Sequence, residues 1–131
     1  MKFIHEKIEI GYDDLKVETK PSGRKYITPD GEAYPSITTV LGVLSADSIA
    51  AWRARVGDVE ANKISHKATT RGTAVHDLVE KYLDNEELPK VMPHVMASLA
   101  NLKPSLNRIG KIFAQEAPLY SKHLGVAGRV D

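Results

Sequence analysis

The chain of 131 residues carries 18 lysines and arginines against 17 aspartates and glutamates, so its formal net charge is +1. Cysteine is absent, which excludes disulfides and thiolate metal sites within these residues. No apolar run approaches the ~20 residues that cross a bilayer, and the first residues lack the layout of a signal peptide. We therefore expect no membrane partner and a cytoplasmic location. Only a local basic surface would indicate nucleic acid.

Residues 1–35 are predicted to form a β meander. Lys16–Thr19 and Arg24–Thr28 are short β-prone runs, and the turn-forming segment Lys20–Gly23 separates them. Glu32–Tyr34 is predicted to add a third short strand. With the helical patterns that follow, this predicts an α+β fold.

Four short helices are predicted between residues 36 and 83, from apolar residues at helical spacing and from cap residues before them. The predicted starts and joints are, in chain order, Ser36, Asp47 or Ser48, Gly57, and Thr69 or Thr70. The first of these, Ser36, follows Pro35 and is a residue type preferred at helix caps.

The last of these helices, from about Thr73 to Leu83, is predicted to be amphipathic. Its apolar half is formed by Ala74, Val75, Leu78, Val79, Tyr82 and Leu83. His76 and Glu80 lie four residues apart at the edge of that half, so they are neighbours on one face. This is where a site residue would be placed. A hydrogen-bonded structural histidine and a solvated glutamate are the commoner alternatives.

The C-terminal part is predicted to form a helix over Val91–Leu102, a break before Pro104, and then a β hairpin. The predicted strands are Lys111–Ser121 and Val126–Asp131, and the loop between them has four residues.

This hairpin would place Ser121 opposite Val126 and Glu116 opposite Asp131. Two opposed carboxylates repel each other unless a cation lies between them, and Mg²⁺ or Mn²⁺ favours such oxygens. Two solvent-facing acids on an edge hairpin are the alternative. A bulge at Pro118 would shift the register and separate the pair.

The last predicted strand also leaves a sheet edge uncovered. We therefore expect the chain to be the N-terminal part of a longer protein.

The ordered set of these motifs resembles the RecB-type branch of the PD-(D/E)XK nucleases. The matching residues are Arg71–His76 with Glu80 and Leu83, then Glu116, Tyr120–Ser121 and Gly128–Asp131. An upstream segment, Pro35–Leu41, is similar to one found in phage, bacterial and mitochondrial exonucleases of this branch.

The resemblance spans about residues 35–131. It implies that residues 36–131 are the first part of a nuclease domain with an incomplete restriction-endonuclease-like core, and the predicted meander of residues 1–35 precedes that domain. It implies that His76, Glu116 and Asp131 are catalytic and bind Mg²⁺ or Mn²⁺. The implied activity is hydrolysis of DNA phosphodiesters, commonly at single-stranded ends, in the cytoplasm of a bacterium or a phage-infected cell. The residues expected to contact DNA are Arg71, Ser36, Thr38, Arg53 and Lys63.

The branch also has an (Asp or Glu)-x-Lys strand after the strand that ends in Asp131, and no such strand follows Asp131 here. We therefore expect these 131 residues alone to have little or no nuclease activity and weak metal affinity. Two rival functions stay open. A non-catalytic nucleic-acid-binding module would use a basic wall formed by Arg53, Arg55, Lys63, Lys67 and Arg71. A structural or interaction domain would use the histidine and the acids as scaffold.

Overall fold

A computed structural model describes residues 2–131, and their fold is α+β, as predicted. The helices are α1 (Ile37–Val56), α2 (Asp58–Leu83) and α3 (Pro93–Leu106). The strands are β1 (Ile4–His5), β2 (Lys16–Lys20), β3 (Gly23–Ile27), β4 (Ala33–Pro35), β5 (Lys111–Ile112), β6 (Ala117–Ser121) and β7 (Val126–Val130). Within the described residues, none of the helices has the length and apolar content needed to cross a membrane.

The described residues fall into two compact units. The first contains the N-terminal residues through Lys7 together with Arg53–Phe113, and so holds β1, α2, α3 and β5. The second contains Ile8–Trp52 and Ala114–Asp131, and so holds β2, β3, β4, β6, β7 and most of α1. The predicted division into residues 1–35 and 36–131 of one domain stays a prediction.

The core of the first unit lies between α2 and α3. Leu78 of α2 and Leu99 of α3 are 1% and 0% exposed, and Val95 packs with them. Full burial of a leucine side chain contributes about 1.5–3 kcal/mol. The partly buried residues around these three are Ala74, Val75, Val79, Tyr82, Leu88, Val91 and Leu106. Five of the six residues in the apolar half predicted for the end of α2 therefore belong to this core, and Leu83 is the exception.

The N-terminal segment is fixed to the end of α2. The Asn85 side chain accepts a hydrogen bond from the Phe3 amide at 2.6 Å and donates one to the Phe3 carbonyl at 3.0 Å. Asn85 has φ 61, a left-handed conformation that asparagine tolerates better than most residues. The Phe3 ring packs edge-on against Tyr82, with 5.3 Å between ring centroids. These contacts hold β1 alongside β5 in a parallel pair.

The second unit contains the predicted N-terminal meander. β2, β3 and β4 pair antiparallel, with Val17 opposite Tyr26 and Tyr26 opposite Tyr34. Its buried core consists of Leu15, Tyr26 and Ala127, and the partly buried tyrosines around it are Tyr12, Tyr34 and Tyr120. The core of this unit is therefore largely aromatic and joins the meander to β7.

Ser36 caps α1, as predicted. Its hydroxyl accepts the Thr39 amide hydrogen at 3.1 Å, and its own amide donates to the Arg24 carbonyl at 2.9 Å. This arrangement satisfies one of the free N–H groups at the helix start. It also ties α1 to β3.

The predicted breaks within the helical region are wrong, except at Gly57. α1 continues through Asp47 and Ser48, and α2 continues through Thr69 and Thr70. Extending a helix adds a hydrogen bond for each ordered residue, whereas starting a new helix requires a costly nucleus. A helix therefore continues through residues of the types that often cap helices when the pattern on both sides is helical. Gly57, with φ 86, does separate α1 from α2.

The predicted break before Pro104 is also wrong, because this residue lies in the last turn of α3. A proline there gives up a single backbone hydrogen bond, and the Asn107 amide still reaches the Lys103 carbonyl at 2.8 Å. The predicted strand over Lys111–Ser121 is divided into β5 and β6. Glu116, with φ 50, cannot continue an extended strand between them.

Candidate metal centre and basic helix face

The hairpin of β6 and β7 has the predicted register. Ser121 pairs with Val126, and the ladder continues without a bulge to Ala117 opposite Val130. Pro118 lies inside this ladder and pairs with Arg129. The ladder therefore ends one pair before Glu116 and Asp131.

Glu116 leaves the strand in a left-handed conformation, with φ 50. For a residue with a Cβ atom, this conformation costs roughly 1–2 kcal/mol. Such a conformation persists only where the surroundings hold it in place, and it is often found at functional sites. Glu116 is half-buried, whereas Asp131 is exposed. A carboxylate oxygen of Glu116 lies within 4.8 Å of one of Asp131.

This separation fits a shared divalent cation. With metal–oxygen bonds of 2.0–2.1 Å, two ligand oxygens on one Mg²⁺ ion are at most about 4.2 Å apart. Small side-chain rotations would therefore bring both Glu116 and Asp131 onto one ion. Carboxylates are also the ligand type that Mg²⁺ and Mn²⁺ prefer. The pair fits the group that the resemblance implies.

Arg129 contacts the backbone at Glu116 through one arm of its guanidinium. Its Nη1 donates to the Glu116 carbonyl oxygen at 3.1 Å. Its Nη2 lies 2.8 Å from each carboxylate oxygen of Asp14. The Leu15 amide, which also donates to Asp14, and the Arg129 guanidinium lower the pKa of the Asp14 carboxyl. Asp14 is therefore a charged partner that holds Arg129.

Sequence reasoning did not assign either member of this ion pair to the site. Arg129 lies within the Gly128–Asp131 motif, so its place in this motif could have indicated a role in the site. Asp14 lies 115 residues earlier in the chain, and nothing in its local sequence indicates the contact.

The glycine of the same motif has a packing role. A Cβ atom at Gly128 would lie 3.3 Å from Cγ2 of Ile37, the first residue of α1. The side chain of Ile37 therefore occupies the space above β7, and a larger residue at position 128 would force it to move.

The hairpin is also held from the N-terminal side by a tyrosine. The Tyr12 hydroxyl donates to the Pro118 carbonyl at 2.8 Å. Burial and the neighbouring Tyr120 raise the pKa of Tyr12, whose hydroxyl is the donor in this bond. This bond fixes β6 two residues beyond Glu116.

His76 lies on α2 in the first unit, two residues before the buried Leu78. Its imidazole is exposed, as is Glu80 one turn later. Both residues thus lie outside the packed half of the helix, where the predicted pattern placed them. That His76 shares an ion with Glu116 and Asp131 stays a prediction.

The first half of α2 carries an exposed row of cations. Lys63, Lys67 and Arg71 recur every four residues and are all exposed. They lie on one face, with about 6 Å of helix axis between neighbours. From Ala61 to Val75 the sequence contains no carboxylate. Arg71 also donates to the Ser98 hydroxyl at 3.3 Å, which orients its guanidinium beside α3.

The other residues expected to contact DNA, apart from the cation row, differ in exposure and in hydrogen bonding. Arg53 donates to Asp58 at 3.1 Å and to Asn62 at 2.7 Å, so its guanidinium bridges the joint at Gly57. Ser36 is 4% exposed and serves as the cap of α1, while Thr38 is exposed. Their contacts to DNA stay predictions.

No family model matches the chain, and no curated protein or solved structure matches it. The resemblance to PD-(D/E)XK nucleases therefore rests on the residues themselves.

Proposed function

We propose that this chain contributes metal ligands and a DNA-binding surface to a metal-dependent deoxyribonuclease. The reaction is hydrolysis of phosphodiester bonds, by an exonuclease that acts on single-stranded DNA ends during replication, repair or recombination. The observation that supports this most directly is the Glu116–Asp131 pair, whose carboxylate oxygens lie within 4.8 Å at the end of the hairpin.

His76, Glu116 and Asp131 would hold Mg²⁺ or Mn²⁺. When bound, such an ion lowers the pKa of a water molecule and neutralises charge that develops on the phosphate. The two carboxylates also have an electrostatic effect on DNA binding. Without a cation they repel the phosphates of a DNA strand, because like charges at short range are unfavourable. DNA binding near this pair should therefore depend on the metal.

The cation row formed by Lys63, Lys67 and Arg71 would contact the phosphate backbone. These side chains are exposed along one face of α2, and no carboxylate lies in the surrounding segment. Phosphate contacts of this kind supply affinity and orientation without reading sequence. They suit an enzyme that acts on DNA ends of any sequence.

The first test measures binding of a short fluorescent single-stranded DNA to the 131-residue chain. We expect affinity at least tenfold higher in Mn²⁺ than in a chelator, because the cation removes the repulsion between the acids and the phosphates. Binding is the readout, so the test does not depend on catalytic turnover. Equal affinity in Mn²⁺ and in chelator would contradict the metal-dependent function.

Neutralising the cation row should weaken this binding and its dependence on salt. In the triple variant Lys63→Gln, Lys67→Gln and Arg71→Gln, the slope of log affinity against log salt should fall by about 2, at ~0.7 per phosphate contact. A matched control removes the same charge from exposed positions on the meander, through Lys16→Gln, Lys20→Gln and Lys25→Gln. An equal change in both triple variants would show a general charge effect and contradict the assigned surface.

A non-catalytic nucleic-acid-binding module is the second candidate. The exposed cation row on α2 favours it, because such a row binds phosphates without a metal. It predicts salt-dependent binding that a chelator leaves unchanged, and so the first test separates the two functions.

A further inference from the structure

We infer that Asp14 and Arg129 position Glu116. Asp14, a residue near the N-terminus, thereby helps to orient a metal-binding side chain at the end of the hairpin. The inference rests on the proposed function, in which Glu116 binds the metal. All three residues belong to the second unit.

The geometry provides one continuous set of contacts. Arg129 uses Nη1 for the Glu116 carbonyl at 3.1 Å and Nη2 for both oxygens of Asp14 at 2.8 Å. A planar guanidinium presents its donors in a fixed fork, so fixing one arm on a carboxylate also fixes the other. Asp14 is itself held by the Leu15 amide at 2.8 Å. The backbone carbonyl of Glu116 is thus tied to a fixed acid.

The contacts of Arg129 and Asp14 would stabilise the strained backbone conformation of Glu116. With φ 50, the residue is in a region that costs roughly 1–2 kcal/mol relative to the common conformations. A hydrogen bond to its carbonyl favours this conformation over the relaxed one. If the bond is lost, the backbone can rotate toward an extended conformation and carry the carboxylate away from Asp131.

Lysine cannot replace Arg129 in this role. Its ammonium is a compact charge on a flexible stem, without a rigid fork that reaches two acceptors. Arg129→Lys therefore keeps the charge but loses the geometry. Asp14→Asn keeps the shape and an oxygen for the Leu15 amide but loses the charge, so this variant should fold.

The chain offers a matched control in the same unit. Lys122 and Asp30 form an exposed ion pair, and Lys122 lies in the hairpin loop at the end away from Glu116. Lys122→Gln removes a cation from the same hairpin without touching the Arg129 contacts.

The experiment measures Mn²⁺ affinity of the full 131-residue chain and the backbone ¹³C chemical shifts of Glu116 without metal. We expect Asp14→Asn and Arg129→Lys to lower Mn²⁺ affinity by 10–100-fold, the range known for partners that orient metal ligands. The Glu116 shifts should move toward extended values in both variants. Lys122→Gln should change affinity less than twofold and leave these shifts in place.

The two readouts separate failure of this inference from failure of the proposed function. If the unmodified chain shows neither Mn²⁺ binding at millimolar concentration nor Mn²⁺-dependent DNA binding, the proposed function fails, and the Glu116 shifts alone decide the positioning role. If the unmodified chain binds Mn²⁺ and Asp14→Asn binds it equally well with unchanged Glu116 shifts, the positioning role is overturned.

Discussion

Asp131→Asn should lower the affinity of the chain for Mn²⁺ by at least tenfold. The substitution keeps the size of the side chain but replaces a charged oxygen pair with a neutral amide, and hard divalent cations bind charged oxygens more strongly. Calorimetric titration with Mn²⁺ measures the loss.

The matched control for this prediction is Glu18→Gln, which removes an exposed acid from β2 in the same unit. It should leave Mn²⁺ affinity within twofold of the unmodified chain. Equal losses in Glu18→Gln and Asp131→Asn would indicate a general charge effect and contradict a site at the end of the hairpin.

Glu116 allows a pair of companion variants that separate backbone strain from metal binding. The free energy of unfolding of Glu116→Gly should be about 1 kcal/mol higher than that of Glu116→Ala, because glycine adopts positive φ without strain. Both variants should lower Mn²⁺ affinity by at least tenfold, since a ligand is lost. A residue that costs stability and supplies binding is typical of a functional site. Unchanged affinity in these variants would remove Glu116 from the metal centre.

Leu78→Ala should lower the free energy of unfolding by about 3 kcal/mol. Leu78 is 1% exposed and packs against Val95 and Leu99, so truncation leaves a cavity between α2 and α3. Changes of this type cost about 2–5 kcal/mol. The helix that carries His76 depends on this contact. Urea unfolding followed by circular dichroism measures the loss.

Leu44→Ala makes the same chemical change at a position that is 83% exposed on α1. We expect its effect on the free energy of unfolding to stay within about 0.5 kcal/mol. Similar losses in Leu44→Ala and Leu78→Ala would contradict the assignment of the buried core to α2 and α3.

The features that the sequence predicted correctly depend on local signals. Turn residues between short β-prone runs indicated the meander, and Ser36 after a proline indicated the start of α1. The hairpin register followed from the loop length, since Ser121 opposite Val126 determines every pair toward Glu116 and Asp131. Counting residues thus gave the register as far as Ala117 opposite Val130, but it did not show that the ladder ends there, one pair before the two acids.

The features that the sequence did not predict depend on competition between local structures or on contacts between residues far apart in the chain. Thr69 and Thr70 resemble caps, yet continuing α2 through them is more favourable than ending it. Proline strongly tends to break helices, but near the end of α3 Pro104 gives up only one backbone hydrogen bond. The contact between Asp14 and Arg129 joins residues 115 positions apart, which no local pattern indicates.

The most direct test of the central claim, that His76, Glu116 and Asp131 bind one divalent ion, is pulsed electron paramagnetic resonance on Mn²⁺ bound to the chain. An imidazole ligand produces a ¹⁴N coupling to the ion. We predict this coupling in the unmodified chain and its loss in His76→Gln, while His66→Gln, at an exposed position on the same helix, retains it. Bound Mn²⁺ without ¹⁴N coupling, or a coupling that survives His76→Gln, would contradict the account.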